Sequence, residues 1–352
     1  MTHADRQAVI IALDAMGGEH APDMVIKGAN VARVRHPDLR FILFGDQDRL
    51  RKVLDRFPKL GDISEIRHCE TAIADDEKPS IALRQGKKSS MRHAIEAVRD
   101  GEAKGVVSAG NTGALMAMAK IVLKTLDGIH RPAMASTFPT MIGQAVMLDL
   151  GANVDCSVEN LVQFAVMGEV FARNVLGREN PSIGILNVGA ENLKGNEAVK
   201  KASMMLQETS LPIKFYGFIE GDDIGAGTVD VVVTDGFTGN IALKTSEGTA
   251  KMFGEFLKQA LSESWMSKLG ALLARSALKK FKMRVDPRLY NGAMFLGLNG
   301  VVVKSHGATD MMGFANAVDF AHDMVLHGFN DTVISELNIW HESRTETQAV
   351  VS

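Results

Sequence analysis

Short apolar runs alternate with amphipathic stretches along most of the chain. The runs 8–13, 40–44, 105–108, 144–148, 182–187, 213–218 and 229–233 are brief and mostly rich in β-branched residues, which predicts buried strands. Between most of them lie stretches of helix length, so the chain reads as successive βαβ units around a largely parallel sheet. The spacing predicts helices over 22–34, with Pro22 in the first turn, and over 111–126, 158–175 and 194–208. One connection is different. Only five residues, Pro139 and Gly143 among them, separate 134–138 from 144–148, which predicts an antiparallel hairpin. No linker, repeat or low-complexity tract interrupts the pattern, so a single unit over 1–342 is expected, followed by a polar tail at 343–352.

The stretch 253–285 breaks the rhythm. Phe253, Phe256, Leu257, Ala260, Leu261 and Trp265 recur at helical spacing. Beyond a turn expected near Gly270, the residues Leu269, Leu272, Leu273, Ala277 and Phe281 repeat the pattern. No acidic residue occurs from Lys268 to Val285, while Lys268, Arg275, Lys279, Lys280, Lys282 and Arg284 supply six positive charges. An amphipathic hairpin with a basic flank suits an anionic lipid surface. It also suits an acidic protein partner, or a dimer-interface helix pair with a solvated basic face.

Composition narrows the function classes. An apolar fraction of 46% over 352 residues is ample for a core, and a net charge of −3 excludes a general nucleic-acid binder. The only cysteines, Cys69 and Cys156, lack zinc-site spacing and suit a reducing cytoplasm. The polar 1–7 segment shows no signal-peptide pattern, and no uncharged stretch reaches the roughly 20 residues that span a bilayer. The nineteen methionines fall mostly at helical apolar positions, where they read as core filling.

Candidate chemistry lies where apolar runs meet glycine. Asp14-Ala15-Met16-Gly17-Gly18, Ser108-Ala109-Gly110-Asn111-Thr112-Gly113 and Asp235-Gly236-Phe237-Thr238-Gly239-Asn240 each follow a predicted strand and open a helix. Such turns leave backbone N–H groups aimed at open space, where a phosphate or an oxyanion is held. Three of them suggest an anion cleft at the strand C-termini. Gly17, Gly18, Asn111, Thr112, Gly113 and Gly239 are the expected phosphate or substrate contacts. Lys194, in the loop 187–197, either meets a phosphate as a point charge or is a solvated surface lysine. Asn240 either donates to a developing oxyanion or caps the following helix. His306, in Ser305-His306-Gly307, is an acid/base group, a phosphate donor or a structural histidine. Cys156 reads as an inert thiol. The chain has no GxGxxG after a strand, no GxxxxGK[ST], no G-x-S-x-G and no HExxH, so no cofactor, metal or covalent nucleophile is expected.

These residues resemble the phosphate acyltransferase (PlsX) family. The resemblance is carried by Leu13 to Pro22, Ser108 to Leu115, Asp149-Leu150-Gly151-Ala152-Asn153 and Lys194-Gly195-Asn196-Glu197. Gly217 to Gly221, Asp235 to Asn240 and Ser305-His306-Gly307 complete it, in order from residue 8 to about residue 330. It implies a Rossmann-like three-layer α/β/α fold with a mainly parallel sheet, akin to phosphate acetyltransferases and isocitrate-dehydrogenase-like enzymes. It also implies a homodimer at the inner face of the cell membrane, held there peripherally by a helical hairpin. In this chain the hairpin is 253–285, with Leu257, Leu261, Trp265, Leu269, Leu272, Leu273, Lys279 and Lys280 as its lipid or carrier contacts.

The implied reaction transfers an acyl group from acyl-acyl carrier protein to inorganic phosphate, giving acyl phosphate for phospholipid synthesis. The family's catalytic lysine and asparagine fall on Lys194 and Asn240. Glu19 and Asn192 depart from the family's usual acidic residues at those positions. Phosphate is itself a nucleophile, which accounts for the missing serine or cysteine elbow. Rival readings are a phosphate acetyltransferase using a coenzyme A thioester, a metal- and NAD-dependent dehydrogenase with Asp222, Asp223 and Asp235 as ligands, and a membrane-associated scaffold without activity.

Overall fold

The computed structural model describes residues 8–209, 211, 213–284 and 292–339, with the side chains of 282–284 excepted. The polar segments expected at 1–7 and 343–352, and Val285 at the end of the hairpin, lie outside the described residues. The strands are β1 (Val9–Asp14), β2 (Leu39–Gly45), β3 (Ser64–His68), β4 (Gly105–Ser108), β5 (Ala133–Pro139) and β6 (Gln144–Leu148). They continue with β7 (Ser182–Leu186), β8 (Lys214–Ile219), β9 (Val231–Val233), β10 (Ala293–Leu296) and β11 (Val301–Lys304). Among the described residues they form one sheet in the order β3-β2-β1-β4-β11-β10-β5-β6-β9-β7-β8.

Two parallel halves make up this sheet. One runs from β3 to β11, the other from β6 to β8. Between them β10 pairs antiparallel with both β11 and β5, and β5 pairs antiparallel with β6, the predicted hairpin. Three reversals leave the two halves running in opposite senses. The glycine turns are therefore divided between the halves rather than gathered along one edge. Those at 14–18 and 108–113 belong to the first half and the one at 235–240 to the second.

Alternation along the strands explains the layers. Ile11 and Leu13 of β1, with Val301 and Val303 of β11, enter one core, while Ala12 and Val302 enter another on the opposite face. Helices Asp23–Arg35, Val158–Leu176 and Met311–Leu326 cover the first face, and Ser90–Arg99 with Thr112–Leu123 cover the second in that half. The expected α/β/α layering is what the chain adopts. Strands β3, β10 and β11 were not among those expected. The edge strand β3 is Ser-Glu-Ile-Arg-His, with no apolar run to announce it, and β10 and β11 are only four residues each.

Helices Asp23–Arg35 and Met311–Leu326 tie the two ends of the chain together. A Cβ at Gly28 would lie 2.9 Å from the Phe314 side chain, so the missing methyl sets their approach. At their far end the buried His322 places Nε2 3.1 Å from Asp38 and Nδ1 3.3 Å from Asp323. Beside it His36 Nε2 lies 3.1 Å from Asp319, which also pairs with Arg35. Donor atoms of His36, Asp38 and His322 lie within 4.8 Å of one another, at the end of the sheet opposite the glycine turns.

The described part of the 253–285 stretch, 253–284, is mostly helical, but its turn is not at Gly270. Helix Gly236–Ser262 runs far beyond the sheet, Ser264 caps a second helix, Trp265–Leu273, and a third follows at Arg275–Arg284. Gly270 sits inside the second helix. A single interior glycine costs about 1 kcal/mol, whereas Ser264 Oγ satisfies the Ser267 N–H at 3.0 Å and so fixes the break. Of the long helix only Gly236 and Gly239 are buried. Trp265 is 74% exposed and Leu273 80%; Leu257, Leu269 and Leu272 are also exposed, and Leu261 is half-buried. Among the described residues no helix is long and apolar enough to cross a membrane.

Candidate active site

Register brings the first wall together. Asp14, Ser108 and Lys304, the last residues of β1, β4 and β11, are paired neighbours, so the turns that follow emerge side by side. Asp14 is buried beneath them, accepting from Ser90 Oγ at 2.6 Å and Ser108 Oγ at 2.7 Å. A Cβ on Gly17 would lie 2.7 Å from the Gly110 nitrogen, and one on Gly18 would lie 3.1 Å from the Gly307 carbonyl. The Glu19 N–H donates to that same carbonyl at 3.1 Å. Three turns distant in sequence are thus packed backbone against backbone.

Asn111 has a defined local task in this wall. Its Oδ1 caps helix Thr112–Leu123 by accepting from Ala114 N–H at 2.9 Å, and its Nδ2 donates to the carbonyls of Asp75 and Glu77 at 2.9 and 2.8 Å. Thr112 and Gly113 are the first two residues of that helix. His306 stands on the rim, exposed, with Nδ1 accepting from Ala308 N–H at 3.2 Å. That bond leaves the ring proton on Nε2. Desolvation, then the charges of Lys304 and Lys244, hold the imidazole below its ordinary pKa, so it is neutral at pH 7.

The second wall follows β6, β7 and β9, whose ends are again level. Asp149 organises it. Its two oxygens accept from the backbone N–H groups of Met134, Gly151, Ala152 and Asn153 and from the Asn153 side chain, at 2.7–3.2 Å. Burial pushes this carboxyl above its ordinary pKa against those donors. Helix Gly236–Ser262 starts on this platform: Gly236 N–H donates to the Asn153 carbonyl at 2.8 Å, and Gly239 lies against the Asp149 carbonyl where no side chain fits. The helix cap is Asp235, whose Oδ1 accepts from Thr238 N–H at 2.8 Å. Asn240 is therefore not a cap. Its exposed amide donates one hydrogen to the Leu150 carbonyl at 3.1 Å.

Lys194 occupies the neighbouring loop. Asn187 closes that loop by donating to the carbonyls of Gly189 and Lys194 at 3.0 and 3.1 Å. Asn196 caps helix Glu197–Gln207, which is why the helix expected from 194 starts three residues later. Lys194 Nζ is exposed and pairs with Glu191 at 2.9 Å; that contact raises its pKa. An open cleft of about 600 Å3 separates this loop from the Gly236–Ser262 helix, lined by Val154, Cys156, Asn196, Val199, Asp235 and Phe237. Cys156 is pushed up to about 12, by burial first and then by Asp149 and Asp235.

The two walls face each other. Asn240, Lys244 and Glu247 share one helix face at i, i+4 and i+7, and the charges of Lys244 and Glu247 reach His306 across the gap. Lys304 was not among the candidates expected from sequence. Its signal was present in Val301-Val302-Val303-Lys304, where strand alternation carries a lysine inward at the strand end. The contacts expected on the arm, from Leu257 to Lys280, lie farther along the same helix and on the two that follow.

A continuous twisted sheet with glycine-lined walls at the junction of two parallel halves defines a phosphotransacetylase-type fold. The structure matches a phosphotransacetylase from Streptococcus pyogenes with a TM-score of 0.60 at 16% identity, covering 91% of this chain and 94% of that one. A branched-chain phosphotransacylase from Enterococcus faecalis V583 gives 0.56 at 13% identity, covering 90% and 99%. A protein-family profile described as "Fatty acid synthesis protein" matches residues 9–332. The phosphate acyltransferase of Rhodospirillum centenum is 60% identical over 327 residues, 93% of this chain and 92% of its own length. That of Paramagnetospirillum magneticum is 60% identical over 331 residues, 94% of each. The chain belongs to the phosphate acyltransferase family.

Proposed function

We propose that this protein transfers the acyl group of an acyl-acyl carrier protein to inorganic phosphate, releasing the carrier thiol and forming acyl phosphate for phospholipid synthesis. A phosphate oxygen attacks the thioester carbonyl, a C–O bond forms, and the C–S bond breaks with its electrons leaving on the carrier sulfur. Lys194 contributes a positive charge beside the cleft. Asn240 uses the amide hydrogen not bonded to Leu150 to stabilise the tetrahedral oxyanion, and His306 presents Nε2–H from the opposite wall. The main chain of Gly17, Gly18, Thr112 and Gly113 cradles the anions, and Asn111 keeps the 112–123 helix start in place. Gly239, expected from sequence as a contact, instead gives its N–H to the Asp235 carbonyl and packs against Asp149. The half-apolar cleft beside Val154, Val199 and Phe237 accommodates the start of the acyl chain.

One observation carries this reading: an exposed amide, fixed by its own hydrogen bond to the Leu150 carbonyl, stands on the helix whose Lys244 and Glu247 reach His306 on the glycine-turn wall. The test supplies long-chain acyl carrier protein and radiolabelled phosphate, and follows label into extractable acyl phosphate alongside release of free thiol. Absence of phosphate-dependent thiol release refutes the function. Equal efficiency with a coenzyme A thioester refutes the carrier assignment.

The protein works as a homodimer at the cytoplasmic face of the membrane, with the arm beyond residue 253 on anionic lipid. An exposed Trp265 beside Leu269, Leu272 and Leu273, flanked by Lys279 and Lys280 and no acid, supports the lipid reading over a plain core packing. Sedimentation equilibrium measures the dimer independently of the lipid.

A further inference from the structure

The first wall contains a cation with no role in the scheme above. Lys304 is only 8% exposed, yet it ends a strand at the base of the three turns. Its Nζ donates to the carbonyls of Ala109, at 3.2 Å, and Ser305. An ammonium has three hydrogens, so two carbonyls leave one. Among the described residues no carboxylate forms an ion pair with it. Asp14, buried nearby, has its oxygens engaged by Ser90 and Ser108, and Asp75 acts on the ammonium only through its field. Burying an unneutralised charge is costly, with an effective penalty of several kcal/mol. Burial accordingly pulls Lys304 down to about 8.

Everything around Lys304 favours an anion arriving from the cleft. Gly18 and Gly307 bring main chain, not side chains, to the half-buried surface above it, over the buried contact of Gly17 with Gly110. The twelve-residue helix Thr112–Leu123 directs its N-terminus to the same place, adding a partial positive charge. We propose that Lys304, with the backbone of turns 15–18, 109–113 and 305–308, forms a seat for a phosphoryl group, separate from the Lys194 and Asn240 wall. This rests on the acyl-transfer reading, in which two phosphoryl groups enter the cleft: free orthophosphate and the phosphodiester of the carrier's prosthetic arm. The shared chemistry is a tetrahedral oxyanion needing one buried cation and several N–H donors.

The experiment replaces Lys304 by Met and measures kcat and KM separately for phosphate, for acyl carrier protein and for an acyl thioester lacking any phosphodiester. Loss of one charge-assisted bond predicts a rise of about 10–100-fold in a single KM. A rise for phosphate assigns the seat to orthophosphate. A rise for the carrier substrate that disappears with the truncated thioester assigns it to the carrier arm. Both KM values within twofold of the parent overturn the proposal, even if kcat falls.

Should Lys304→Met fail to fold, the unaltered protein decides. Calorimetric titration with sulfate, which stands in for orthophosphate because its charge is constant over this range, and with phosphopantetheine, at pH 7 and pH 9, should show about tenfold weaker binding of one ligand at the higher pH. The groups facing Lys304 are Asp14, Asp75 and His306. His306 is already neutral at pH 7, and Lys194, raised by Glu191, keeps its charge across this range. Affinity that is flat with pH for both ligands overturns the proposal. Parent turnover in the same assay separates the outcomes, because absence of acyl phosphate refutes the acyl-transfer reading itself, whereas normal turnover with unaltered KM values refutes only the seat.

Discussion

Replacing Gly17 by alanine is the sharpest test of whether the packed glycine turns serve the chemistry. The new Cβ would sit 2.6 Å from Asp14 Oδ2, 2.7 Å from the Gly110 nitrogen and 3.0 Å from Gly110 Cα. Ordinary van der Waals contact begins near 3.4 Å, so the two turns must part by about 0.7 Å. Neither is free to swing, because Asp14 is anchored by Ser90 and Ser108 and Gly110 N–H is bonded to Ser108 Oγ at 3.1 Å. Overpacking of this kind costs about 1–3 kcal/mol, equivalent to a fall in Tm of about 2–10 °C. Turnover should fall further, about 100-fold, since a displacement approaching 1 Å in a positioning element has that effect.

The control is Gly101→Ala. Gly101 has a φ of +76° and open space around it, so alanine there costs about 1–2 kcal/mol of backbone strain far from either wall. Thermal melts and phosphate saturation curves for both variants separate stability from positioning. Equal losses of activity in the two, or parental kinetics for Gly17→Ala, would refute the argument.

Removal of the Asn240 amide by alanine should lower kcat about 10²–10³-fold with little change in Tm, because that residue is exposed. Lys194→Ala should lower turnover comparably; near-parental rates in both would sink the second-wall assignment. On the arm, Leu273→Glu or Leu257→Glu should weaken flotation with anionic vesicles about 10–100-fold, the worth of one buried leucine, and unchanged flotation would remove lipid as its partner. His322 gives a pH signature. Burial opposes its charge, but Asp323 and Asp38 outweigh this and raise its pKa above 6.5. Its pairing therefore stabilises the fold fully below pH 6.5, and that share is lost as pH climbs through the raised pKa. Denaturation midpoints for the parent should show this loss, while His322→Gln should flatten it.

Several features were legible in the sequence because a local rule determines them. Buried parallel strands announce themselves as uninterrupted apolar runs, and a five-residue connection admits little but a hairpin, so β1, β4, β5, β6 and β9 fall near their expected places. Strand β3 was hidden because an edge strand needs no apolar face. The opposed sense of the two halves was also hidden, since it depends on β10, whose partners lie more than 100 residues away in β5 and only a few away in β11. At the site, glycine turns mark a need for close backbone approach. No periodicity says which turns meet. Gly17 against Gly110, and Gly239 against Asp149, are contacts of register and topology. Lys304 was overlooked for the complementary reason: a lysine is read as a surface residue until alternation is traced to the last residue of the strand.

The state of the cleft thiol keeps it from competing with phosphate for an acyl group. A thioester substrate invites exchange with any nearby thiolate, and Cys156 lines the cleft between the Lys194 loop and the Gly236–Ser262 helix. Its pKa, pushed up to about 12 by burial first and then by Asp149 and Asp235, keeps it the neutral thiol at neutral pH. The carboxylates responsible beyond burial are Asp149, which builds the platform for Asn240, and Asp235, which caps the helix carrying it. The same two groups that hold Asn240 in position therefore also keep the Cys156 thiol from ionising. Phosphate, already an anion near neutral pH, requires no such activation. It needs only a place to sit and a carbonyl within reach.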